Sequence, residues 1–424
     1  MHIKSFILNK QVRNGSLFIL YSFFNRGIGF ILLMILANYI TPSEYGQLSL
    51  FNTVVSFLGF FICLSSDGYI SVSFFKKSKP ELSKDVSSIF LIEAAIVTFI
   101  IIMLSFFENQ LQYLLNIPDH FLWYALLICT FTIPYNVYLN YIRCEEKLLY
   151  YGMLSCGYAI LNFSICMILV VFFSNGWKGQ VYAHCLNIIS FGLICFLLLA
   201  KKNLFATYVN MSNIKEILFW SVPLIPHLAT TWIRGGLDRF IINANYTLYD
   251  VGLFSFALNL VTIVEMIGSA INSTNSVSIF KILSDKHLSK AEKLLKLQNQ
   301  TKRIILITII GTIVIFIGAY IMIPLFLPKY NDSRVYFSFL VWYGTFRALY
   351  YLYSNYFFYW GKTSLLMVIT VSTAGLHLLL SLLLTQYSLI YTTLVYSITQ
   401  FITLVIVCVL SKRMINRNLV ETVL

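Results

Sequence analysis

Residues Ala37–Phe51 read ANYITPSEYGQLSLF, and residues Ala244–Ala257 read ANYTLYDVGLFSFA. Ala37-Asn38-Tyr39 pairs with Ala244-Asn245-Tyr246, and after a one-residue gap Thr41, Glu44, Gly46 and Ser49 pair with Thr247, Asp250, Gly252 and Ser255. Locally the pattern predicts a tight turn that opens into a helix. Glu44 and Asp250 would accept hydrogen bonds at the helix N-termini, and Gly46 and Gly252 would relax the turn. Each copy lies between the first two apolar runs of one half of the chain. The repeat therefore predicts two equivalent halves, residues 1–200 and 217–424, joined by a cytoplasmic linker at 201–216.

Those runs place the chain in a membrane. The 424 residues are 58% hydrophobic and 11% charged, with a mean hydropathy of +0.79, whereas soluble domains carry about a quarter charged residues. Stretches able to cross a hydrocarbon core of about 30 Å occur near 16–38, 48–70, 89–107, 119–142, 151–173, 181–200, 217–241, 251–278, 303–325, 335–359, 364–384 and 389–410. The expected fold is all-α and integral to the membrane, with about twelve transmembrane helices in two six-helix repeats around a central cavity. An even number of spans separates the copies, so the repeats are parallel, an arrangement used for alternating access.

Positive charge retained on the cytoplasmic side sets the orientation. With the N-terminus inside, the inner segments hold Lys4, Lys76, Lys77, Lys79, Lys84, Arg143, Lys201, Lys215, Lys290, Lys293, Lys412 and further cations, and the outer ones only Lys178, Lys329 and Arg334. Both termini are expected in the cytoplasm. Topology and anionic membrane lipids account for the net charge of +13, with no need for nucleic acid. The cysteines have no metal-ligand spacing, and neither a disulfide framework nor a removable signal peptide is expected.

TPSEYGQLSLF in the first hairpin, SVPLIPHLA and GLDRFII in the seventh run, and VGLFSFALNL in the eighth carry a resemblance. The chain resembles the polysaccharide-transporter branch of the multidrug/oligosaccharidyl-lipid/polysaccharide exporter superfamily, most of all the Wzx-type O-antigen flippases. The resemblance implies a non-enzymatic flippase in a bacterial inner membrane. Its substrate would be an undecaprenyl-diphosphate-linked oligosaccharide, and a polysaccharide polymerase and chain-length machinery would be further partners. It implies no catalytic motif and no cofactor. A drug or cation antiporter of the same superfamily, or a membrane polymerase or glycosyltransferase, would be the alternatives. The outer loops are short for the latter, and no nucleotide-binding loop is present.

Charges inside the spans are candidates for the transport path, because each costs about 2.5–3.5 kcal/mol at the bilayer centre. Arg26, Arg234, Arg239 and Arg347 are the cations, and a guanidinium fork suits diphosphate oxygens. Arg26 and Arg234 occupy near-equivalent repeat positions. The bland alternative neutralises them locally: Arg234 and Asp238 are four apart on one helix, Glu265 is in reach of Arg347, and Arg239 snorkels to the interface. The acids Asp67, Glu93, Asp238 and Glu265 are candidates for ion coupling or for charge partnership.

Polar residues from Ser269 to Ser278, Asn272 and Asn275 among them, would line a sugar path or bond between helices. Trp342 and Tyr350, in an aromatic-rich tenth span around Arg347, would stack on sugar rings or simply pack. Pro134, Pro223 and Pro226 predict bends. SDKHLSKAEKLLKLQ predicts an amphipathic helix capped by Ser284 or Asp285 and lying on the inner leaflet. Histidines 184, 227 and 377 show no metal-like spacing.

Overall fold

The computed structural model describes residues 10–64 and 66–419, and all regular structure among them is helical. Hydrocarbon offers no water to bond the backbone, so every N–H must be satisfied within its own segment. Ten of the helical stretches are long and apolar enough to cross a membrane, which makes this a multi-pass membrane protein. The seventh and tenth predicted spans fall outside that set: the seventh is broken, and the tenth is one 27-residue helix rich in tyrosine.

The chain divides into two compact units, residues 1–229 and 230–424. The first holds α1 (Lys10–Tyr39), α2 (Pro42–Cys63), α3 (Ser66–Lys76), α4 (Lys79–Leu115), α5 (Phe121–Cys144), α6 (Leu148–Met167), α7 (Gly176–Lys201) and α8 (Met211–Ser221). Helix α9 (Ile225–Trp232) spans the boundary. The second holds α10 (Asp238–Asn245), α11 (Leu248–Ser284), α12 (Lys290–Phe326), α13 (Ser333–Tyr359), α14 (Thr363–Leu384) and α15 (Leu389–Leu419). Helix α5 is the packing centre of the first unit, against α2, α3 and α7; α13 is that of the second, against α11 and α15.

Both copies of the repeated sequence build the same capping box. Thr41 donates its N–H to Glu44 Oε2 at 2.8 Å and accepts from the Glu44 N–H at 3.3 Å. Thr247 does the same with Asp250, at 3.1 and 3.4 Å. Two of the free N–H groups at each helix start are thereby satisfied. The paired glycines are not turn residues. Gly46 and Gly252 lie within α2 and α11 and are buried there, so their lack of a side chain serves packing.

A conformational need for glycine arises instead at Gly176, where φ is +54° and an added Cβ would run into the Glu44 carboxylate. Gly176→Ala is therefore expected to lower stability by about 1–2 kcal/mol from the left-handed backbone alone, with further loss as Glu44 is pushed off its cap. Thermal unfolding in detergent checks this, and Glu44→Gln in the same background separates the two contributions.

Two readings need correction. The predicted span 48–70 is two helices, interrupted at Leu64 in a left-handed conformation with φ 45°. The stretch between the eighth and ninth predicted runs, 279–302, holds a connection of only residues 285–289, because α12 starts at Lys290 behind a Ser289–Glu292 capping box. Ser284 and Asp285 are not its cap, and the amphipathic segment is the first turns of a 37-residue helix rather than a separate surface helix. The first compact unit extends to residue 229. Helix α8 is held to the first unit through Lys77, whose ammonium bonds Glu216 at 2.8 Å, Asp85 at 2.9 Å and Tyr69 at 3.0 Å. Asn213 adds a bond to Asp85 at 2.9 Å. Burial works against the Lys77 charge, but the bonds to Glu216, Tyr69 and Asp85 prevail and raise its pKa. The hydrogen bond from Lys77 in turn holds the Glu216 carboxyl below its usual range. These contacts keep residues 211–221 with the first unit.

The seventh span is irregular twice. Val222–Leu224, which contains Pro223, is a 3-10 turn, and Ile233–Leu237, IRGGL, is a π-helical turn. Proline removes a backbone donor at the first. The π turn, with its glycine pair, carries Arg234 and directly precedes Asp238.

Candidate functional site

Small residues let α11 and α13 approach closely. A Cβ at Gly268 would strike Ala348, and one at Gly344 would lie 2.5 Å from Val261 Cγ1. That approach sets Glu265, one turn before Gly268, against Arg347, the neighbour of Ala348. Arg347 Nη1 lies 3.5 Å from Glu265 Oε1, and the guanidinium also donates to Tyr343 OH at 2.5 Å and Tyr351 OH at 3.2 Å. Arg347 keeps 29% of its side chain accessible. It is thus positioned by three partners while remaining reachable.

Arg234 and Asp238 do not pair in the manner their spacing suggests, because α14 and α15 offer each a better set. Arg234 donates to Gln400 Oε1 at 2.8 Å, to Thr403 Oγ1 and the Thr370 carbonyl at 3.4 Å, and to Thr373 Oγ1. Asp238 meets His377 Nε2 at 2.7 Å and accepts from Ser381 Oγ, while His377 Nδ1 lies 3.1 Å from Thr399 Oγ1. Both members of the Asp238–His377 pair are 1% exposed. Arg239 bonds two neighbours in the second unit. Its Nε donates to Ser255 Oγ at 3.0 Å and its Nη1 to the Gly235 carbonyl.

Edge-on ring contacts join these groups. Tyr343, which holds Arg347, meets Tyr396 edge-on at 5.1 Å, and Tyr396 meets the His377 ring edge-on at 4.7 Å. A line of polar and aromatic side chains thus runs Glu265–Arg347–Tyr343–Tyr396–His377–Asp238 within the second unit. The line combines a reachable cation with a buried acid–imidazole pair, which suits binding of an anion and storage of a proton.

The other candidates are dispersed. Arg26 is exposed on α1, unlike Arg234 among its four acceptors, so the two repeat-related arginines have different surroundings. Glu93 is buried on α4 and lines an apolar cavity of about 430 Å³ with Val97, Phe131, Pro134 and Gly192. The side chains of Asp67, Pro226 and His227 lie outside the described residues. Asn272 accepts from Asn355 Nδ2 at 2.7 Å and Asn275 from Gln300 Nε2 at 2.6 Å, so both bond between helices. Ser273 and Thr274 remain exposed and bond only their own helix. Trp342 is 45% exposed, and Tyr350 is half-buried beside Tyr351. No metal-binding cluster of His, Cys, Asp or Glu occurs among the described residues.

His377, Ser381, Thr373, Thr399 and Gln400 are absent from the sequence-based candidates. A signal existed: Thr373, His377 and Ser381 recur every four residues in the apolar run of α14, the spacing of one helix face. A search for metal spacing does not detect it.

The chain is similar to "Lsg locus putative protein 1" of Haemophilus influenzae, with 23% identity over 84% of this chain and 87% of the relative. Among solved structures it is similar to an inward-facing multidrug resistance MATE family transporter of the MOP superfamily, with TM-score 0.72, 12% identity, and 92% and 94% of the two chains covered. It is also similar to the lipid II flippase MurJ in an inward closed conformation, with TM-score 0.72, 15% identity, and 94% and 87% covered. At these identities the structural matches establish a shared fold. The sequence pattern of the polysaccharide biosynthesis protein family matches residues 11–280, more than half of the chain, and the protein belongs to that family.

Proposed function

We propose that the protein is a flippase that carries an undecaprenyl-diphosphate-linked oligosaccharide from the inner to the outer leaflet of a bacterial cytoplasmic membrane, by alternating access. The observation that carries this reading is Arg347, a guanidinium held in place yet accessible on α13 of a member of the polysaccharide biosynthesis protein family. A diphosphate leaving water needs fixed donors along its way, and a fork anchored by Glu265 and two tyrosines supplies them without rearrangement. Similarity to a lipid II flippase supports the same class of cargo. Arg26, exposed on α1, adds a second cation, and Trp342 offers a ring face to sugars. The Asp238–His377 pair stores the coupling proton. Both termini lie in the cytoplasm, and O-antigen or another surface glycan is the end product.

A deletion strain is expected to lose surface glycan and to accumulate the lipid-linked repeat unit on the inner leaflet, with plasmid-borne wild type restoring both. Intact surface glycan in that strain would sink the proposal. The second reading, a cation antiporter, draws on Glu93, a buried acid in an apolar cavity of the first unit. Sensitivity of the deletion strain to cationic dyes, with glycan unchanged, would favour it.

A further inference from the structure

Between the C-terminal part of α11 and the lysine-rich start of α12 lies a cavity of about 610 Å³, lined by Asn275 and Ser278 on one helix and Lys296, Gln300, Arg303 and Ile304 on the other. Its hydrogen bonds run in one direction. Ser278 Oγ donates to Gln300 Oε1 at 3.1 Å, and Gln300 Nε2 donates to Asn275 Oδ1 at 2.6 Å. The Gln300 amide is thereby engaged through both its oxygen and its nitrogen, and the chain of donors ends at Asn275 Nδ2. That group has no hydrogen-bond partner among the described residues, although Asn275 is only 3% exposed. A buried donor left unmet is costly, and native structures rarely tolerate one without a missing acceptor.

The surroundings specify what that acceptor is. Lys296 and Arg303 are two helical turns apart on one face of α12, both exposed and neither in an ion pair among the described residues. None of the described lining residues is acidic. A cavity with one unmet buried amide, two cations and no acidic lining residue takes an anion with several acceptor oxygens, and phosphate fits; Glu292, which interacts with Lys296 from one turn away, lies outside the lining. The volume exceeds that of a phosphate, and Ile304 makes part of the wall apolar. Immediately beyond Arg303, Leu306 and Ile307 are 59% and 54% exposed on a helix that the hydropathy places in lipid, so the cavity opens where polar headgroups meet acyl chains.

We infer that this cavity binds the phosphate group of a membrane lipid, seated on Asn275 Nδ2, Lys296 and Arg303 at the end of α12. This inference stands apart from the transported cargo, since none of these residues belongs to the Glu265–Asp238 line. The full-length protein in phosphatidylcholine nanodiscs doped with phosphatidylglycerol is transferred to native mass spectrometry, and retained lipid is counted. Wild type is expected to retain phosphatidylglycerol. The exposed-residue variant K296Q/R303Q should retain about tenfold less, the weight of one charge-assisted hydrogen bond. Asn275→Asp keeps the acceptor for Gln300 but replaces the free donor by a carboxylate, and should retain least. A parallel arm with undecaprenyl phosphate in place of phosphatidylglycerol tells which lipid class is preferred, and cation-dependent retention of either supports the site. Equal retention by wild type and K296Q/R303Q in both arms overturns it. Displacement of the lipid by inorganic phosphate at matched concentration also overturns it, by making the ligand a soluble ion.

Discussion

Arg347→Gln is expected to reduce transport of the lipid-linked oligosaccharide by about ten- to hundredfold, the effect of losing one or two charge-assisted hydrogen bonds to phosphate. Taken alone that result is ambiguous, because the substitution also takes the guanidinium away from Glu265. A charge in mid-span costs about 2.5–3.5 kcal/mol, and somewhat less here, since Glu265 keeps another contact and 21% of its side chain is accessible. The double variant Glu265→Gln/Arg347→Gln resolves the ambiguity. It removes both charges together, so thermal stability in detergent should return close to wild type, while transport stays low if the guanidinium holds the diphosphate. Arg347→Lys should keep partial transport, because an ammonium binds phosphate without the fork geometry. Full transport by a well-expressed double variant would reduce Arg347 to a packing partner of Glu265.

The second large effect belongs to the Asp238–His377 pair. His377→Leu leaves the Asp238 carboxylate buried with only hydroxyl partners, and breaking a buried pair from one side costs about 3–5 kcal/mol. Both side chains are 1% exposed, so no solvent screening reduces that figure, and a marked drop in unfolding temperature is expected. Asp238→Asn asks a different question. An amide still bonds the imidazole but takes up no proton, so the fold should persist while the response of transport to an imposed pH gradient disappears. A variant of normal abundance that keeps that response would show that coupling runs elsewhere, with Glu265 and Glu93 as the next groups to substitute.

The parts of this protein that were legible in its sequence are those set by local chemistry. Apolar runs marked the spans because hydrocarbon admits no unbonded backbone, and the Thr41–Glu44 and Thr247–Asp250 caps were foreshadowed by four-residue patterns. The proximity of Glu265 and Arg347 could be guessed from depth alone, since two charges at one level of a bilayer seek each other. Partner choice among hydroxyls and amides was not legible. Arg234 and Asp238 are four residues apart, yet each turns to α14 and α15, and only the packing of those helices shows that Gln400 and His377 lie within reach. The fate of the seventh span was half visible: Pro223 signalled a break, whereas the π turn at Ile233–Leu237 has no proline to announce it. Ser289 displaced Ser284 and Asp285 as the cap of α12 because only it is followed three residues later by a glutamate, Glu292, that can close the box.

The twin capping boxes close within four residues of chain, Thr41 with Glu44 and Thr247 with Asp250, so the bonds of each are made within its own hairpin. Each can form as soon as its hairpin has emerged from the ribosome. The nascent chain therefore carries two separate points at which insertion can begin in register, some two hundred residues apart. A slip in threading the first half need not be inherited by the second.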